Sequence, residues 1–122
     1  MIYTVGYQRL DGVAGLIELL RRHPIDCLLD VRSKPYSRRA EFNQSRLEKE
    51  LPPAGIRYSW GGKRLGGFAA IKEEDIAMLA KQSKEEVFCL MCMEDAPEKC
   101  HRYYEIAERL KAYGVEAIHL RP

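Results

Sequence analysis

Four cations fall within eight residues at Arg32, Lys34, Arg38 and Arg39, interleaved with Ser33, Tyr36 and Ser37. A guanidinium is a planar fork that fits phosphate or carboxylate, and neighbouring hydroxyls add further donors. This stretch is read as anion-binding. The alternative is a solvated loop whose charges pair with Asp26, Asp30 or Glu41. Asp30 is expected to orient Arg32 through an ion pair rather than to react.

The second rich segment runs from Cys92 to Arg102 (CMEDAPEKCHR). Asp95 and Glu98 have the spacing of a capping box, and Pro97 suits a first helical turn. A helix starting there would turn its positive end toward an anion. Cys100 then falls in the second turn, where the helix dipole and nearby cations would acidify a thiol. It is also in line with Tyr103, Ala107 and Leu110, which makes a buried structural thiol the preferred reading. Cys92 is the better nucleophile candidate, Glu94 a candidate acid or base, and His101 its candidate partner. Arg102 either clamps a ligand or projects into water.

Cys89, Cys92, Cys100 and His101 together invite a zinc reading. Residues three apart on a strand point to opposite faces, so Cys89 and Cys92 should not share a metal. A redox C-x-x-C opens a helix, which this one does not. No metal and no cofactor are expected. The glycine-rich run 61–67 (GGKRLGG) could wrap a phosphate as a nest of backbone amides, act as a mobile lid, or simply connect. It matches neither a Walker nor a dinucleotide fingerprint. Tyr36, Tyr58 and Trp60 could stack on a ring, with core packing as the default for Tyr58 and Trp60.

These groups must be held by regular elements, and the pattern alternates between short apolar runs and amphipathic stretches. Residues 2–5, 27–31, 56–60, 87–92 and 115–120 read as strands. Helices are expected after Asp11, with the stripe Val13, Leu16, Ile17 and Leu20, and after Asn43, where Phe42 and Leu47 suit a hydrophobic staple. Two more are expected from Glu73 or Glu74 through Ile76, Leu79 and Ala80, and over residues 97–113. Pro24, Pro52-Pro53 and Gly114 punctuate the pattern. The alternation predicts one α/β domain over residues 1–122. Its form is a three-layer α/β/α sandwich around a five-stranded, mostly parallel, Rossmann-like sheet. The favoured strand order is 3-2-1-4-5, with 2-1-3-4-5 as the alternative; 87–92, the most apolar run, should be central and covered on both faces.

In such a sheet ligands bind outside the carboxyl ends of the strands. Those ends carry Gly6-Tyr7-Gln8, the cations of 32–39, Lys63 and Arg64, and Cys92-Met93-Glu94. The opposite edge carries plain connectors such as His23-Pro24. This asymmetry is the strongest signal in the chain.

The bulk properties agree with an enzyme-like or binding domain. The chain has 122 residues, 46% hydrophobic and 31% charged, which excludes a disordered or collagen-like polymer. A net charge of +2 is too small to imply nucleic acid by itself. No apolar run approaches the ~18 residues of a membrane span, and no secretory signal is visible at the start. The expectation is a cytoplasmic protein with its four cysteines reduced and no membrane partner.

Thr4-Val5-Gly6, Asp30-Val31-Arg32 with Pro35, Ser37, Arg38, Arg39 and Phe42, Gly55-Ile56-Arg57-Tyr58, Leu65-Gly66-Gly67 and Cys92-x-Glu94…Cys100-His101-Arg102 together resemble the family called domain of unknown function 488. The resemblance runs over nearly the whole chain and implies an α/β fold with an enzymatic site. The family usually has His after the first glycine. This chain has Tyr7, and a phenol is a poor proton acceptor at neutral pH.

The expected function is binding of an anionic small molecule that bears phosphate or carboxylate, a nucleotide among the candidates, at the carboxyl edge of the sheet. Arg32, Ser37, Arg38, Arg39, Arg102 and Tyr7 would bind it, with Glu94, His101 and Cys92 near the chemistry. The alternatives are a nucleic-acid-binding module that uses residues 32–39 without catalysis, and a small interaction protein.

Overall fold

The computed structural model describes residues 1–67, 70–94 and 100–121, and of residues 101–104 the backbone only. Five strands form one parallel sheet: β1 (Ile2–Gly6), β2 (Cys27–Asp30), β3 (Arg57–Trp60), β4 (Phe88–Cys92) and β5 (Ala117–Leu120). The helices are α1 (Gly12–Arg21), α2 (Gln44–Glu50), the single turn α3 (Gly62–Leu65), α4 (Glu73–Gln82) and α5 (His101–Leu110).

Strand parity builds the two sides. On one face Tyr3, Val5, Leu28, Cys89 and Met91 pack under α1 and α2 with Val13, Leu16, Leu20 and Leu47. On the other, Ile2, Cys27, Leu29, Leu90 and Cys92 pack under α4 and α5 with Ile76, Leu79, Ile106 and Leu110. Cys89 and Cys92 therefore lie on opposite faces, as their spacing requires. In α1 the buried stripe is Val13, Leu16, Leu19 and Leu20, so Leu19 takes the place expected for Ile17, which is only partly buried. α4 opens with Glu73, Glu74 and Asp75, carboxylates that suit the positive end of its dipole.

The strand order is 3-2-4-1-5, which corrects both expected orders. β4 pairs with β1 on one side and β2 on the other. All five of its residues are buried, and Phe-Cys-Leu-Met-Cys is apolar toward both faces. A strand of that kind gains most from the middle of a covered sheet, where neither edge nor face meets water. β3 and β5, with mostly exposed or half-buried residues, take the edges.

Two other expectations are revised. The 61–67 run is not an open loop: Gly62–Leu65 is a helical turn, and none of its described glycines has the positive φ that a backbone nest requires. The last helix begins at His101, with Cys100 extended (φ −110, ψ 98) as its N-cap. Cys100 therefore precedes the helix instead of sitting in its second turn. The capping box of Asp95 and Glu98, and Pro97, lie outside the described residues.

Candidate functional site

Placing β4 between β1 and β2 brings three strand ends together at the carboxyl edge. The ladder continues past the strands: the Tyr7 amide donates to the Cys92 carbonyl (3.1 Å), the Gln8 amide to Met93 (2.9 Å) and the Val31 amide to Met91 (3.1 Å). Residues 7–8, 31–32 and 92–93 are thereby fixed relative to one another by main chain.

Beneath this rim sits a buried polar cluster. Asp30 is fully buried and Arg32 is 3% exposed. Arg32 Nε donates to Asp30 Oδ1 (2.8 Å) and Nη2 to Oδ2 (2.7 Å), a two-pronged pair. Nη2 also donates to the Phe42 carbonyl (2.8 Å), and Nη1 reaches the Tyr7 hydroxyl at 3.5 Å. The Tyr58 hydroxyl donates to Asp30 Oδ2 (2.6 Å). Burial disfavours the Arg32 charge, but its bonds to Asp30 outweigh that and hold it firmly protonated. Burial, reinforced by the Asp30 charge, pushes the Tyr58 phenol well above its ordinary range. Tyr7 itself is buried, stacked on Phe42 with ring centroids 4.5 Å apart. Trp60 donates its indole N–H to the Arg32 carbonyl (2.8 Å).

Arg39 is a strut. Its Nη1 donates to the carbonyls of Tyr7 and Gln8 (both 3.1 Å) and Nη2 to that of Leu10 (2.6 Å), while its guanidinium lies 4.7 Å from the Phe42 ring centroid. It also pairs with Glu41 at 3.3 Å. Ser37 folds the loop: its Oγ accepts the Arg39 amide (3.0 Å), and its own amide donates to Asn43 Oδ1 (2.6 Å). Asn43 thus caps the preceding loop rather than bonding the start of α2.

Above these sits an open cleft of about 430 Å³ lined by Tyr7, Gln8, Tyr36, Ser37, Arg38, Arg39 and Met93. Four of the sequence-derived residues, Tyr7, Ser37, Arg38 and Arg39, meet there. Arg38 is exposed and has no ion-pair partner among the described residues. Tyr36 is 69% exposed and Met93 43%, large side chains in water beside a cation. Tyr36 is one of the rings expected to stack, whereas Gln8 and Met93 escape a reading by residue chemistry. Their signal is position, since each follows closely on a strand end.

Arg32 lies under the rim rather than in the cleft. Cys92 turns its sulfur to the opposite face, 2.6 Å from that of Cys100. Glu94, half-buried, follows Met93 at the rim. The side chains of His101 and Arg102 lie outside the described residues. Lys63 and Arg64 line a different cleft of about 540 Å³ with Lys72, Glu74, Asp75 and Met78, which shares no lining residue with the first. Among the described residues no group of three or more His, Cys, Asp or Glu is arranged to hold a metal ion.

Five parallel strands in one sheet with helices on both faces define a three-layer α/β protein, here with a cleft at the carboxyl edge. The chain belongs to the family described as Domain of unknown function DUF488, whose model matches residues 12–73, just over half of it. The matched stretch contains Asp30, Arg32, the 37–39 run and the 61–67 turn; Cys92–Arg102 falls outside it. No curated protein and no solved structure matches. No helix among the described residues is long and apolar enough to cross a membrane.

Proposed function

We propose that the cleft beside Arg38 binds an anionic small molecule, carrying a phosphate or carboxylate on a body with a flat apolar part. The observation that carries this reading is Arg38 itself. It is an exposed guanidinium without an ion-pair partner among the described residues, in a cleft whose other walls include Tyr36 and Met93. Arg38 meets the anion, Tyr36 stacks on the body, and Met93 supplies an adaptable apolar wall. Arg32 and Arg39, already bonded to the protein, shape the floor. Glu94 and His101 are assigned any proton transfer to the bound molecule, and Arg102 a second anion contact. Cys92 is left out, because its sulfur faces Cys100.

A nucleic-acid module is the weaker reading. The run 32–39 leaves Lys34 and Arg38 exposed while Arg32 and Arg39 are committed to carboxylates and carbonyls, which makes no continuous basic stripe.

Thermal denaturation in the presence of inorganic phosphate, sulfate, a nucleoside monophosphate and a dicarboxylate tests the proposal. A bound ligand at 100 times its Kd adds about 2.7 kcal/mol, a rise of several degrees in Tm. Arg38→Ala should remove the rise and leave the unliganded Tm unchanged. The reading fails if no anion raises Tm, or if the rise survives in Arg38→Ala. It also fails if the chain instead binds single-stranded DNA with an affinity that collapses with salt.

A further inference from the structure

Cys92 closes β4 and Cys100 caps α5, and both are buried, at 0% and 2% exposure. Their sulfurs are 2.6 Å apart on the same side of the sheet. The two sulfurs are thus in direct contact, the juxtaposition a disulfide bond requires. The other two cysteines are placed differently. Cys89 points to the opposite face of the same strand. Cys27 pairs in register with Phe88, four residues back along β4, roughly 13 Å from Cys92 at the strand rise.

We propose that Cys92 and Cys100 are a redox-active pair that closes into a reversible disulfide when the folded protein meets a low-molecular-weight disulfide such as oxidised glutathione. The thiolate of one cysteine attacks a glutathione sulfur, and the glutathione S–S bond breaks. One glutathione leaves as its thiol, and a mixed disulfide remains on the protein. The second cysteine then attacks the protein sulfur of that mixed disulfide, forming the Cys92–Cys100 bond and releasing the second glutathione. Two electrons pass from the protein sulfurs to the glutathione sulfurs, and the two thiol protons end on the two glutathione thiols. With the partner sulfur already in contact, the second step is intramolecular and outruns accumulation of the mixed disulfide.

Position keeps the other two thiols out of the internal bond, since Cys89 lies on the opposite face of β4 and Cys27 sits beside the start of that strand, far from Cys92 at its end. The bond would staple the end of the central strand to the start of α5. Cys92 and Met93 hold Tyr7 and Gln8 through their carbonyls, so the staple would act on one wall of the cleft. The inference does not depend on what the cleft binds.

The native 122-residue chain is incubated with excess oxidised glutathione, alkylated after denaturation, and examined by intact mass and peptide mapping. The expected result is loss of two of the four free thiols, no retained glutathione, one crosslinked peptide joining residues 92 and 100, and recovery of all four thiols with dithiothreitol. Cys100→Ser and Cys92→Ser should each lose the internal bond, and a variant that still folds should hold glutathione on the remaining sulfur. Four free thiols after oxidation of the wild type, a stable glutathione adduct on it, or a crosslink involving Cys27 or Cys89 would overturn the proposal. The wild-type map decides the matter even if both serine variants fail to fold.

Discussion

Asp30 and Arg32, two residues apart at the end of β2, grip each other through two parallel hydrogen bonds of 2.8 and 2.7 Å, out of contact with water. The Arg32 amide also donates to Asp30 Oδ1 (3.1 Å), so the carboxylate turns the chain as well as pairing the charge. Removing one member leaves the other charged, buried and unpaired. Asp30→Ala should therefore destabilise the fold by about 3–5 kcal/mol, measured as the shift in urea midpoint. Arg32→Lys keeps a charge but not the fork and should recover only part of the loss.

The 61–67 run is glycine-rich because two backbones nearly touch there. A Cβ on Gly62 would come 1.8 Å from the Arg32 carbonyl oxygen, and one on Gly66 would come 2.2 Å from Ser33 Oγ. Gly62→Ala and Gly66→Ala should each cost on the order of 1–3 kcal/mol through forced displacement. Gly55 has open space around it but a φ of 83°. Gly55→Ala should cost about 1 kcal/mol through backbone conformation alone. Equal midpoints for Gly62→Ala and wild type would show that the close approach is absent in solution.

Neighbouring arginines should separate by role. Arg39→Ala strips charged donors from three backbone carbonyls and should destabilise by about 2 kcal/mol or more in thermal or urea unfolding. Arg38→Ala, with nothing comparable to lose, should stay within about 0.5 kcal/mol of wild type. The reverse ranking would mean that the loop is arranged differently.

Alkaline pH should weaken the fold. The phenol of Tyr58 and the thiols of Cys27 and Cys89 are all held above their ordinary values, 10.0 for the phenol and 9.0 for the thiols, by burial first. The unfolded chain gives up these protons first, while the folded chain must keep them. Their contribution is complete below about pH 9 and is lost progressively as pH rises through the raised values. Urea midpoints taken from pH 8 upward should fall, and Tyr58→Phe should shallow the part of the decline above pH 10. A flat profile would contradict the burial of these groups.

Much of the architecture is legible in one dimension because hydrophobic period is local. Alternation gave five strands and the helices between them, and parity put Cys89 and Cys92 on opposite faces. The Asp30–Arg32 pair was legible too, since residues two apart beyond a strand end can meet without help from the rest of the chain. Strand order was harder. Period reports which face is buried, not which strand is the neighbour, although the doubly apolar Phe88–Cys92 was a usable sign of the central place.

The element types, the two buried faces and the concentration of cations and thiols behind the strand ends are local properties of the chain. Those depend on side-chain chemistry and on spacings within a few residues. Long-range packing sets β4 between β1 and β2, spends Arg39 on the carbonyls of Tyr7, Gln8 and Leu10 while Arg38 lines the cleft, and brings Cys92 to Cys100. Each of these depends on which distant segments pack together, a choice made by the summed burial of the whole core and written in no single stretch of chain.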